Sequence, residues 1–147
     1  MRPVAALFIV LAGLLAAGCS SHAPPPGRWE GTYDQGDVII AARMEITAKG
    51  EVYVSAPDAE NIQGDASARA AIRKNLAAGL ASGWGDVQPR KFDFDGKTFR
   101  KPGGVAPQIQ WDPSASTMTM QVYLGMRNAI PVTLHAVKDF SDDPFPG

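Results

Sequence analysis

Residues 38–46 read Val-Ile-Ile-Ala-Ala-Arg-Met-Glu-Ile, and in an extended chain Val38, Ile40, Ala42, Met44 and Ile46 fall on one face. Side chains alternate sides along a strand, so this apolar set makes a core-facing surface, with Arg43 and Glu45 turned the other way. The stretch predicts a β-strand. Val52 and Val54 continue the pattern after a Lys49-Gly50 turn. Met118, Met120, Val122 and Leu124 alternate with Thr117, Thr119, Gln121 and Tyr123, and Ile130, Val132, Leu134 and Ala136 alternate with Pro131, Thr133, His135 and Val137. Gly125 to Asn128 joins these two as a hairpin loop. Pro131 cannot donate to a ladder, so its strand needs an open side there. Shorter strands are expected at Trp29–Tyr33 and Ile109–Trp111.

A further hairpin is expected over Arg90 to Lys101, where Asp95-Gly96 has the signature of a two-residue type I′ turn. That turn pairs Phe94 with Lys97, Asp93 with Thr98 and Phe92 with Phe99. It also sets Lys91 against Arg100 and Arg90 against Lys101. Like charges placed opposite each other destabilise a ladder. Arg90, Lys91, Arg100 and Lys101 are therefore a candidate anion-binding group, suited to lipid phosphate or a cell-wall carboxylate. If the strands splay before this point, the four are simply solvated.

One helix interrupts the strands. Asp65 is a plausible N-cap, Ala66 to Ala81 is alanine-rich, and Gly83 is a candidate terminator. Ile72, Leu76 and Leu80 lie four apart on one face, while Arg69, Arg73 and Lys74 face elsewhere. Such a narrow apolar stripe packs flat on a sheet or plugs a barrel end. Mainly β structure with one inserted helix near residues 66–81 gives an antiparallel sheet curled into a small barrel or sandwich.

The chain has 147 residues, 45% hydrophobic and 20% charged, which is an ordinary globular balance. A net charge of −1 argues against a nucleic-acid partner, because neutralising phosphates needs a basic surplus. One cysteine precludes an internal disulfide. Two histidines, with His22 outside the domain, leave little for a metal site. His135 lies on the polar side of its strand, and Asp93-Phe94-Asp95-Gly96 lacks the further ligands of a calcium loop. No nucleophile motif occurs, and neither catalysis nor a cofactor is expected.

Four parts are expected along the chain: a cleaved leader at 1–18, a cysteine and proline-rich spacer at 19–27, a domain at 28–138 and a loose tail at 139–147. The leader begins with Arg2, and Val4 to Ala17 is an uncharged apolar run of 14 residues. At ~1.5 Å per residue it reaches ~21 Å, short of a ~30 Å hydrocarbon core. Ala16, Ala17 and Gly18 then lead into Cys19. That order resembles the lipobox of bacterial lipoproteins, with Ala16 standing where the family prefers leucine. The resemblance implies cleavage before Cys19, a thioether-linked diacylglycerol on its sulfur and acylation of its amine. Two or more acyl chains anchor a protein stably where one does not. Ser20 and Ser21, with no aspartate after the cysteine, imply the periplasmic face of an outer membrane, or the cell surface in a monoderm. Ser20 to Gly27 includes three successive prolines, and an extended spacer of eight residues reaches ~25 Å at ~3.1 Å each.

Gly27-Arg28-Trp29 opens the run GRWEGTY, which resembles the Gly-x-Trp start of lipocalin-like barrels. In those folds the tryptophan packs across the closed end. The resemblance implies a binding module with an apolar cavity, for which Trp29 and Trp111 are the candidate lining residues. The expected function is binding of a small apolar ligand or an envelope component. A structural or assembly factor acting by protein contact is the alternative, and an envelope hydrolase ranks last.

If the lipobox reading holds, the mature chain begins at Cys19 carrying diacylglycerol, and Cys19→Ala abolishes the modification without unfolding the domain. Intact mass spectrometry of membrane-extracted protein checks this; a chain starting elsewhere, or an unmodified thiol, overturns it.

Overall fold

The computed structural model describes residues 23–103, 108–125 and 128–146. The leader, Cys19 and His22 lie outside the described residues. In chain order the elements are β1 (Gly27–Gln35), β2 (Val38–Ile46), β3 (Val52–Ser55), β4 (Asp58–Ala59), α1 (Ala66–Gly83), β5 (Asp93–Phe94), β6 (Thr98–Arg100), β7 (Gln108–Asp112), β8 (Thr117–Val122) and β9 (Ile130–Val137). A short 3₁₀ turn at Trp84–Asp86 follows α1. The strands form one sheet in the order β3-β2-β1-β9-β8-β7-β6-β5, with β4 also on β2. Every pair is antiparallel, and the sheet curls into a half-barrel. Its two edges meet at one bridge, where Arg90 N–H donates to Val52 O at 2.8 Å.

β2 is buried along almost its whole length. Val38, Ile40, Ala42, Met44 and Ile46 face the concave side and join Trp29, Phe99, Ile109, Trp111, Met118, Met120, Val132 and Leu134 in the main core. Ile39 and Ala41, on the convex side, are covered by Ala77 and Leu80 of α1 and by Phe145, with Ile72 and Leu76 packed alongside. The helix therefore lies flat on the outside of the sheet. Its start is fixed by Asp65, whose carboxylate accepts from Ser67 N and Ala68 N at 3.0 Å each. Arg69 and Arg73 both ion-pair with Asp34 at the end of β1, Arg69 Nε donating at 2.7 Å. Gly83 does not stop the helix with a left-handed cap; it keeps helical angles and the chain tightens into the 3₁₀ turn.

Arg43 emerges on the convex face, but it is not solvated. Arg43 is 3% exposed and its cross-strand neighbour Glu30 is 7% exposed. Arg43 Nε donates to Glu30 Oε2 at 3.0 Å. Burying two charges costs several kcal/mol per ion unless the remaining polar groups are satisfied. The C-terminal segment satisfies them. Ser141 O accepts from Arg43 Nη2, and Ser141 N donates to Glu30 at 3.2 Å. The Phe140 ring lies 4.7 Å from the Arg43 guanidinium and packs edge-on against Trp84 at 4.8 Å. Residues 139–146 are thus docked, correcting the expected loose tail: Phe140 and Phe145 bring apolar area that outweighs the acidic, proline-rich composition around them. Pro24 is also buried, while Ala23, Pro25 and Pro26 beside it are exposed.

The hairpin around Asp95 has a different register from the expected one. Phe94 pairs with Phe99 and Asp93 with Arg100, a shift of two residues. The cause is the Asp95 side chain, which accepts from Lys97 N at 3.0 Å and Thr98 N at 2.7 Å. This side-chain turn displaces the tight backbone turn. A two-residue shift keeps every side chain on its face, so Phe92, Phe94 and Phe99 still cluster.

β1 pairs with β9 only from Arg28 to Glu30. At Gly31 the backbones press together: a β-carbon there would sit 2.0 Å from Thr133 O. Past this point β9 has no ladder partner in β1, and Pro131, without an N–H, occupies that open half.

Glu30→Ala should cost about 3–5 kcal/mol, because it strands a buried guanidinium. Glu30→Leu with Arg43→Met should cost much less, since it removes both charges. Urea denaturation of the two variants measures the contrast; equal losses would mean that the pair is not the sensitive element.

Candidate functional site

The half-barrel is open where its edge strands are shortest. Four-residue β3 ends at Ser55, and the chain turns through Ala56 and Pro57, whose carbonyl accepts from Ala41 N at 3.0 Å. Across the gap, the segment from Asp86 to Arg90 descends from the helix toward two-residue β5. Between them lies a cavity of about 750 Å³, open to solvent. Its apolar lining comes from Val54, Ala56, Val87, Met120, Val122 and Leu124, and its polar lining from Ser55, Asp58, Asp86, Gln88, Arg90, Gln121 and Tyr123. Tyr123, 41% exposed, is the exposed large hydrophobic residue among those described. The pairing registers put this mouth toward the β8–β9 connection, whereas Gly27, where the N-terminal segment enters, lies level with Ile46 toward the other end of the sheet.

Partial burial raises the Asp58 carboxyl above its ordinary range, and the nearby Glu60 charge adds to this. The folded state therefore holds that proton more tightly than the unfolded chain. Ionised Asp58 weakens the mouth slightly above its folded pKa, and the penalty fades as pH falls.

A second, shallower cleft of about 540 Å³ is lined by Pro89, Arg90, Lys91, Lys101 and Pro102. Arg90 lines both spaces. Three of the four candidate anion-binding residues thus converge. Arg100 does not join them: it sits opposite Asp93 and its Nε approaches Asp95 at 3.5 Å. The shifted register removes the like-charge pairs expected between Lys91 and Arg100 and between Arg90 and Lys101.

Trp29 and Trp111 line no part of the mouth. Both are buried in the main core, and their indole nitrogens have no hydrogen-bond partner among the described residues. The concave side is filled by these rings and by Met44, Met118 and Met120; Trp111 also borders a separate surface cleft of about 510 Å³ with Lys97, Gln110 and Thr119. His135 is exposed on the convex face, opposite Glu30 and Thr117. Among the described residues no three histidine, cysteine or acidic side chains gather as a metal-holding group.

Sequence reading did not single out the mouth residues as a site. Val54, Met120, Val122 and Leu124 carry the same alternation as core positions, and nothing local marks which of them border a gap. The one available signal is Leu124, which continues the apolar alternation beyond the end of β8 and is buried.

The Asp95 turn is acid-sensitive in a defined direction. Backbone N–H groups of Thr98 and Lys97, then Arg100, hold its carboxyl below the ordinary value of 3.8. Its stabilisation is complete above that value and is lost as pH falls through the lower folded pKa. Asp95→Ala should abolish the acid transition of the Lys97 and Thr98 amide resonances and speed their hydrogen exchange several-fold at neutral pH. Amide NMR checks both; unchanged exchange would show that the turn holds without this carboxylate.

No protein-family model, no curated protein and no solved structure matches this chain.

Proposed function

We propose that this chain is a cell-envelope lipoprotein, anchored through acyl chains on Cys19, whose half-barrel binds a small apolar ligand or envelope component without catalysing a reaction. The observation that carries the binding reading is the open cavity of about 750 Å³, whose mixed lining is apolar along Val54, Met120, Val122 and Leu124. Its size lies in the range of small-molecule sites, and polar groups around an apolar stretch can fix the orientation of a ligand. The anchor reading rests on the order Ala16-Ala17-Gly18-Cys19. Among the described residues no helix is long and apolar enough to cross a membrane. Gly27 lies toward the opposite end of the sheet from the mouth, which supports a mouth turned toward the periplasm. The alternative, an assembly factor acting by protein contact, is favoured by one feature, the exposed Tyr123 ring beside the mouth.

Ala56 is half-buried at the edge of the core, so Ala56→Phe fills the cavity without emptying the interior. With the full chain in phosphatidylcholine nanodiscs and 1-octanol as the probe, calorimetry corrected for empty discs should show saturable binding that falls at least tenfold in Ala56→Phe. Absence of saturable binding, or equal binding by the variant, overturns the cavity reading.

A further inference from the structure

We propose that the mouth is built for an anionic amphiphile, with a single apolar chain in the cavity and a carboxylate or phosphate head in the adjoining basic cleft. This rests on the binding reading above and adds the chemistry of the ligand's head.

Three observations converge. First, the two spaces share Arg90, so an apolar lining runs directly into a cationic one. Second, Lys91 and Lys101 flank that shared residue, and none of the three cations has an ion-pair partner among the described residues. Among the described arginines, Arg28, Arg43, Arg69, Arg73 and Arg100 each hold a carboxylate, and Arg90 is the exception. Three exposed cations bordering one cleft create a local positive potential that attracts an anion. Third, the cluster is placed by backbone constraints. The Arg90 amide is fixed to Val52 O at 2.8 Å, and Pro89 and Pro102 restrict the chain on either side.

The rest of the rim supplies orientation. Asp58 and Asp86 line the mouth, and their charge disfavours an anion anywhere but on the Arg90 side. The ligand is thereby oriented with its chain over Val54, Met120 and Val122. A neutral chain would fill the cavity but leave the cations unmatched, and a bare anion would match the cations but leave the apolar lining in water.

The test uses the full chain in phosphatidylcholine nanodiscs, with calorimetry corrected for empty discs. The probes are octyl phosphate, octanoate, 1-octanol and inorganic phosphate. Octyl phosphate or octanoate should bind at least tenfold more tightly than 1-octanol, and the advantage should shrink as salt screens the head. A preference shared by both anions assigns the cleft to single anionic heads in general; one confined to octyl phosphate assigns it to phosphate heads. Lys91→Glu with Lys101→Glu should erase the advantage while leaving 1-octanol binding and the thermal melt unchanged. Lys91→Gln with Lys101→Gln should reduce it partway. Equal affinity for 1-octanol and the anions overturns this inference while leaving the apolar-ligand reading standing. Inorganic phosphate binding as tightly as octyl phosphate also overturns it, by showing that the chain contributes nothing. If no probe with an alkyl chain binds, the apolar-ligand reading itself falls.

Discussion

β2 has two apolar faces, and covering both is the constraint that organises this molecule. A curled sheet alone buries only the concave side. Ile39 and Ala41 on the convex side require a second layer, which α1 and Phe145 supply. The same convex face carries Arg43, whose charge cannot be left beneath that layer unpaired. Glu30 on β1 answers it directly, and the C-terminal segment completes the arrangement with the Ser141 backbone and the Phe140 ring. The buried pair thus couples the first strand, the second strand and the end of the chain, whose residues are 111 positions apart at their widest contact. Such a coupling gives the tail a specific docking position where apolar burial alone would allow several.

The open mouth follows from the other end of the same economy of strands. β2 and β1 are nine residues each, but the edge strands β3 and β5 are four and two. Short edges cannot close a barrel by ladder pairing, and among the described residues the Val52–Arg90 bridge is what joins them. Short edges also limit strand-to-strand association with other chains. The gap that remains is bounded by side chains with core character on one side and by the descending Asp86–Arg90 segment on the other. Binding space in this fold is therefore peripheral. The interior that a lipocalin-like resemblance would leave hollow is occupied by two tryptophans and several methionines, the latter adaptable fillers of irregular gaps.

The basic cleft shows how a small local choice redistributes charge. A tight Asp95-Gly96 turn would have set four cations face to face. The Asp95 carboxylate instead captures two backbone amides and approaches Arg100, and the register moves by two. One cation is drawn off, and three remain grouped beside an apolar cavity.

Much of the fold was legible in the sequence because its signals are local. Strict alternation at 38–46, 117–124 and 130–137 reflects the two-residue period of an extended chain, which covalent geometry fixes. Asp65 and the alanine run mark the helix for the same reason: capping and intrinsic propensity act within a few residues. The order Ala16-Ala17-Gly18-Cys19 is likewise a local chemical signal, read by proximity along the chain. Tertiary structure alone decided the rest. Alternation says that Arg43 points away from Met44, but only the packing of α1 and the tail says that it is buried. Composition describes residues 139–147 as acidic and proline-rich, yet Phe145 finds a site formed by β2 and α1. Trp29 and Trp111 look equally suited to a core or a pocket until the volume between the walls is fixed. Those outcomes depend on which distant surfaces meet, and a surface made by residues far apart in sequence has no local pattern to announce it.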